Sequence, residues 1–100
     1  MIIIDKAQEN GTLNLTVEGR LDTTTAPQFQ DELLSGISGS KEICLDFEKL
    51  VYVSSAGLRV LLMGQKAATA SSATMTIRNV SEDVMEVFEM TGFADILTII

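Results

Sequence analysis

Histidine is absent from this 100-residue chain, and cysteine occurs once. Without histidine there is no Ser-His-Asp or Cys-His activation of a nucleophile, and no imidazole to hold a metal. A single cysteine excludes an internal disulfide framework and a cysteine-based zinc cluster. Cys44, inside Ile43-Cys44-Leu45, reads as a small buried apolar residue. Basic residues are scarce, seven against fourteen acidic ones, for a net charge of −7. They form no run or stripe, which argues against nucleic acid and anionic membrane as partners. No apolar run approaches the roughly 18 residues of a membrane span. Met1-Ile2-Ile3-Ile4-Asp5 has neither the basic start nor the apolar length of a signal peptide. A cytoplasmic protein with no direct membrane insertion is therefore expected. Glycine-rich phosphate loops are missing as well, and no cofactor or metal is expected.

What remains suits one domain, residues 1–100, of an ordinary soluble globular kind. Ile2 to Ala7 reads as a strand, Asn10-Gly11 as a hairpin turn, and Leu13, Leu15 and Val17 as the inner face of an antiparallel partner. Thr23-Thr24-Thr25 opens a helix in which Thr25 and Gln28 fit a capping box, with Pro27 in the first turn. Phe29, Leu33, Leu34 and Ile37 form its apolar stripe. Ile43 to Phe47 follows as a strand apolar on both faces save Asp46. A second helix runs from the serines at 54 and 55 to about Ala68, and Met75 to Arg78 is a fourth strand. Ser81 caps a third helix that ends at Gly92, and the tail is strand-like or a last helical turn. The order β-β-α-β-α-β-α plus a short tail predicts an α/β fold. Its sheet is mixed, an antiparallel hairpin followed by parallel strands with right-handed crossovers.

Acids on the third helix (Glu82, Asp83, Glu86, Glu89) read as a solvated face, and the five methionines as core filling, with Met85 and Met90 free to touch a partner. The informative stretch is Tyr52-Val53-Ser54-Ser55-Ala56-Gly57-Leu58-Arg59. An extended apolar run stops at two serines, and past Gly57 the apolar spacing becomes helical. The serines thus sit at a helix N-terminus, where free N–H groups and the helix dipole favour negative charge. A serine there can cap the helix, a contribution of about 1 kcal/mol, or present its hydroxyl for phosphorylation. Ser54 can do the first while Ser55 is available for the second. Arg59, four residues on, shares a face with Ser55 and is either a plain surface arginine or a phosphate- or partner-contacting one. Asp22 leaves the second strand at the same end of the sheet, outside the C-termini of the parallel strands where sites collect. It can cap the first helix or lie close to Ser55.

Together these residues resemble the anti-sigma factor antagonist family, built as single STAS domains. Gly19-Arg20-Leu21-Asp22-Thr23-Thr24-Thr25-Ala26-Pro27, the run from Leu45-Asp46-Phe47 through Ser54-Ser55-Ala56-Gly57-Leu58, and Met90-Thr91-Gly92-Phe93 carry the likeness, in the family's order. The resemblance implies a STAS-like sheet and no enzymatic activity. It implies that the unphosphorylated protein binds an anti-sigma factor that is itself a serine/threonine kinase, freeing the sigma factor. Phosphorylation, by position on Ser55, switches binding off, and a metal-dependent (PPM-type) phosphatase reverses it. Ser54 stands where the family has an aspartate and is a second, lesser acceptor. Ala56 stands where a second serine is frequent. The expected partner surface comprises Asp22, Thr23, Ser54, Ser55, Ala56, Gly57, Leu58 and Arg59. The alternative is a STAS-domain regulatory subunit or scaffold in another signalling or lipid-transport system.

Overall fold

The computed structural model describes Met1 to Ile100. Its elements run β1 (Ile2–Glu9), β2 (Thr12–Leu21), α1 (Ala26–Ile37), β3 (Glu42–Asp46), β4 (Leu50–Val53), α2 (Ser55–Ala70), β5 (Thr74–Arg78) and α3 (Glu82–Thr91), closed by a 3-10 turn at Phe93–Asp95. β1 and β2 pair antiparallel through an Asn10-Gly11 turn in which both residues take positive φ, 54° and 81°. The sheet order is β1-β2-β3-β5, with β4 also on β2, and every pair after the hairpin is parallel. The expected mixed α/β sheet is thus present.

One element was not anticipated. The sequence order allows four strands, whereas Leu50–Val53 forms a fifth. At four residues it is too short for a periodicity to show. Its Leu50 and Val53 are buried and its Val51 and Tyr52 exposed. β2 is long enough to serve two partners: Thr12 to Thr16 pairs with β3, and Gly19 to Leu21 pairs with β4. The changeover falls at a register shift between Gly19 and Arg20. Gly19 adopts φ 107°, and a Cβ there would lie 2.5 Å from the carbonyl oxygen of Met1, so only glycine fits the bend.

The core lies on one side of the sheet. Leu13, Leu15 and Val17 of β2, Ile43 and Leu45 of β3, and Met75 and Ile77 of β5 meet Phe29, Leu33 and Ile37 of α1 and Leu58 and Leu61 of α2. Phe29 and Phe47 are fully buried with rings tilted at 60° and centroids 6.5 Å apart. Such a pair adds about 0.5–1.5 kcal/mol to its area burial. α3 contributes Val84 and Phe88 to the same core. The other face of the sheet carries Asn14, Thr16, Glu18, Cys44, Asp46, Thr76 and Arg78, all half-buried or exposed. β3 is therefore not apolar-covered on both faces, and Cys44 is half-buried beside Thr76 rather than in the core. All the helices pack on one side, so alternation along each strand decides burial. The tail is both things expected of it: a 3-10 turn, then a parallel bridge from Ile99 to Ile77. No helix is long and apolar enough to cross a membrane.

Candidate functional site

The C-terminal ends of β2 and β4 lie side by side, Leu21 against Val53. The ladder's last rung is the Ser54 N–H, which donates to the Leu21 carbonyl at 2.9 Å. That bond joins two turns, one leading from β2 into α1 and one from β4 into α2.

The β2–α1 turn is built on Asp22. Its Oδ1 accepts from the Thr24 hydroxyl at 2.8 Å, the Thr24 N–H at 3.0 Å and the Thr25 N–H at 3.1 Å. Thr25 is buried, and its hydroxyl accepts from the Asp22 N–H and donates to the Arg20 carbonyl, each at 2.8 Å. The capping box expected from Thr25 and Gln28 does not form, since Thr25 makes no side-chain cap bond. The Thr25 hydroxyl is instead taken up by the Asp22 N–H and the Arg20 carbonyl, and the Asp22 carboxylate serves the Thr24 and Thr25 N–H groups ahead of the helix. Asp22 thus braces the turn ahead of the helix rather than capping it, and that turn adjoins the serine junction. The Thr24 hydroxyl, against a smaller opposing effect of burial and with help from the Thr25 and Thr24 N–H groups and the Thr25 hydroxyl, holds its pKa below the ordinary value.

The β4–α2 turn separates the two serines. Ser54 is the N-cap, extended at φ −97° and ψ 176°, half-buried, and its Oγ accepts from the Gly57 N–H at 3.4 Å. Ser55 is the first helical residue and is exposed. Ala56 is half-buried, Arg59 and Thr23 are exposed. Two of the residues expected to meet a partner do not reach the surface. Gly57 and Leu58 are buried because the helical repeat that places Leu58 and Leu61 inward turns both towards the sheet. They position the helix end, and of this run Ser55 and Arg59 are the residues exposed on α2.

Two residues of this surface were missed in the sequence. Arg20 and Tyr52 are register partners on β2 and β4, and the Arg20 guanidinium carbon lies 4.1 Å from the centre of the Tyr52 ring. The Arg20 Nε stands 3.9 Å from the Asp22 Oδ2. Continuing the alternation of β2 through Arg20 and Asp22 would have put both on one face.

A second carboxylate at this end of the sheet, Asp46, is accounted for by structure. Burial works against its charge but is outweighed by the Glu48 N–H at 3.0 Å, the Asn79 amide at 3.2 Å and Arg78 at 3.5 Å, so its pKa too lies below the ordinary value. No group of three or more acidic or cysteine side chains is placed to hold a metal. What the site offers is an exposed hydroxyl at the positive end of a sixteen-residue helix. Around it lie a hydrogen-bonded carboxylate and an arginine laid on a tyrosine.

Residues 4–99 match the family described as Mlab, STAS domain. A Bordetella bronchiseptica protein named as the anti-sigma factor antagonist BtrV is 32% identical over 91 residues, covering 90% of this chain and 78% of that protein. Two solved structures of the Bacillus anti-sigma factor antagonist SpoIIAA share the fold at 19% identity. The unphosphorylated form has a TM-score of 0.78 over 98% of this chain and 87% of that one. The phosphorylated form has 0.77 over 98% and 91%.

Proposed function

The chain belongs to the STAS domain family, and from that premise we propose that it is an anti-sigma factor antagonist switched by phosphorylation of Ser55. It is a regulatory binding protein, not an enzyme. Unphosphorylated, it binds an anti-sigma factor that is also a serine/threonine kinase and so releases the sigma factor. The kinase transfers phosphate to the Ser55 hydroxyl, the complex separates, and a metal-dependent phosphatase restores the binding form. The surface that meets the kinase is Ser55 with its exposed neighbours Arg59, Thr23 and the outer side of the Asp22 turn.

The observation that carries this reading is the division of labour between the serines. Ser54 is occupied by the cap, while Ser55 beside it projects from the first turn. A small neutral hydroxyl there can pack against a partner. A phosphate brings about −1.5 to −2 charges and an obligatory hydration shell. On a chain already at −7, that charge in a desolvated contact costs several kcal/mol. A thousandfold loss of affinity needs about 4 kcal/mol.

The test pairs two variants with the anti-sigma factor kinase of the same organism. Ser55→Ala is expected to bind the kinase and to take up no phosphate from ATP, whereas Ser55→Asp is expected not to bind. If Ser55→Ala is phosphorylated at the wild-type rate, the acceptor assignment is wrong. If wild type and Ser55→Asp bind alike, Ser55 is no switch. Co-purification with a membrane ATPase would place the domain in a transport system instead.

A further inference from the structure

The cations of this chain are few, and their settings differ. Arg78 is tied to Asp46 at 3.5 Å, and Lys49 stands 4.0 Å from Glu18 away from the serines. Arg20 is mounted and yet unused. Its guanidinium lies on the Tyr52 ring at 4.1 Å, its Nε faces Asp22 at 3.9 Å, beyond hydrogen-bond reach, and the side chain is 53% exposed. Asp22 holds it only loosely, because the Nε–Oδ2 pair is longer than a hydrogen bond and lies at the solvent-exposed side of the turn. No hydrogen bond of the protein engages the two terminal nitrogens of Arg20, which leaves a half-exposed donor fork beside the Tyr52 ring.

We propose that Arg20 determines partner specificity at this surface by receiving a carboxylate side chain of the anti-sigma factor kinase. The inference rests on the proposed function for the identity of the partner. The fork geometry of a guanidinium matches a carboxylate, and one resting against an aromatic ring loses less freedom on binding than a free one. Charge decides the placement. On a chain of net charge −7, a carboxylate meets repulsion over most of the surface. Arg20, beside the Asp22 turn, and Arg59, one helical turn past Ser55, are both exposed cations at this surface, but only Arg20 is held against a ring, so Arg20 sets the register of the complex as well as adding affinity.

The experiment measures calorimetric affinity between the purified full chain and each ATP-binding anti-sigma factor kinase of its organism, without ATP. Arg20→Ala is expected to weaken binding about ten- to hundredfold, the range for a hydrogen bond between charged groups. Arg20→Lys is expected to recover only part of it, because it keeps the charge and loses the fork. Arg20→Glu is expected to bind worst, and to be rescued by one Asp→Arg or Glu→Arg change in the kinase. Thermal unfolding checks that each variant folds; if Arg20→Ala does not, Arg20→Gln and Arg20→Lys decide the matter. Binding of Arg20→Ala within about twofold of wild type, while Ser55→Asp still fails to bind, overturns the role of Arg20 and leaves the proposed function standing. If no kinase binds the wild type, the proposed function falls and this inference falls with it.

Discussion

Replacing Gly57 with alanine should destabilise the protein, although alanine is the better helix former. A Cβ at position 57 would lie 2.7 Å from Cγ of Leu21 and 3.0 Å from Leu21 Cδ2 and Val53 Cγ2. Carbon atoms pack comfortably at about 3.5–4.0 Å. The nearest neighbour is the branch carbon of Leu21, which cannot swing aside as a terminal methyl could. Leu21 is 0% and Val53 4% exposed, so neither has room to retreat. Overpacking of this kind costs about 1–3 kcal/mol. Relief of the glycine penalty in a helix returns up to about 1 kcal/mol. The net loss is about 1 kcal/mol, and for a domain of this length that lowers the melting temperature by about 4–8 °C. Urea and thermal unfolding followed by circular dichroism measure it. Gly64→Ala makes a useful companion, since its Cβ would meet Leu33 Cδ2 at 2.5 Å where α1 crosses α2, away from the serines. Both variants should lose stability. Only Gly57→Ala should also speed hydrogen exchange at the Ser54 N–H, because only it pushes α2 away from Leu21. A Gly57→Ala protein as stable as wild type would refute the claim that the helix end is held by contact with β2.

Two further outcomes are expected. Ser54→Ala removes the side-chain cap of α2 and should cost about 0.5–1 kcal/mol, the lower part of the capping range because the bond to Gly57 is long at 3.4 Å; a urea midpoint unchanged from wild type would show that the bond contributes nothing. Asp46 has a folded pKa below its unfolded one, so its contribution to stability is fully present above the unfolded value of 3.8 and is lost as pH falls through the folded value. Asp46→Asn should therefore be less stable at neutral pH and show a flatter acid limb when unfolding free energy is measured from neutral pH down to about pH 2; an acid limb as steep as that of wild type would count against the Glu48, Asn79 and Arg78 contacts.

Long apolar patterns and turn chemistry were legible in the sequence. The alternation Leu13, Leu15, Val17, the Asn10-Gly11 turn, the stripe of α1 and the Ser81 cap each follow from one local rule, and each is where the sequence placed it. What escaped depends on contacts between distant segments. β4 is a strand because β2 extends past its pairing with β3 and offers a second edge, which nothing within Leu50-Val51-Tyr52-Val53 announces. The Thr25–Gln28 capping box fits its motif and still does not form, because the Thr25 hydroxyl is taken up by the Asp22 N–H and by the Arg20 carbonyl at the end of β2. The solvent face of β3 was misjudged for a related reason. Cys44 is apolar enough to suit a covered face, and only the placement of the helices on one side leaves that face open. Arg20 and Tyr52 became visible as a pair only when the β2–β4 register set them opposite each other.

The geometry also bears on why the proposed switch is placed at Ser55 rather than one residue earlier. Ser54 supplies three bonds that seat the helix: its N–H closes the ladder to Leu21, and its carbonyl and hydroxyl accept from Leu58 and Gly57. A phosphate on Ser54 would have to leave that half-buried position, so modification there would act on the fold. At Ser55 the side chain supports nothing inside the molecule, and the helix end favours an added negative charge by about 0.3–1 kcal/mol. On the proposed reading, a phosphate at Ser55 would leave the stability of the free protein little changed. A partner packed on that residue must instead desolvate the charge, at several times that energy. On the proposed reading, placing the acceptor one residue past the cap is what lets phosphorylation govern binding without governing folding.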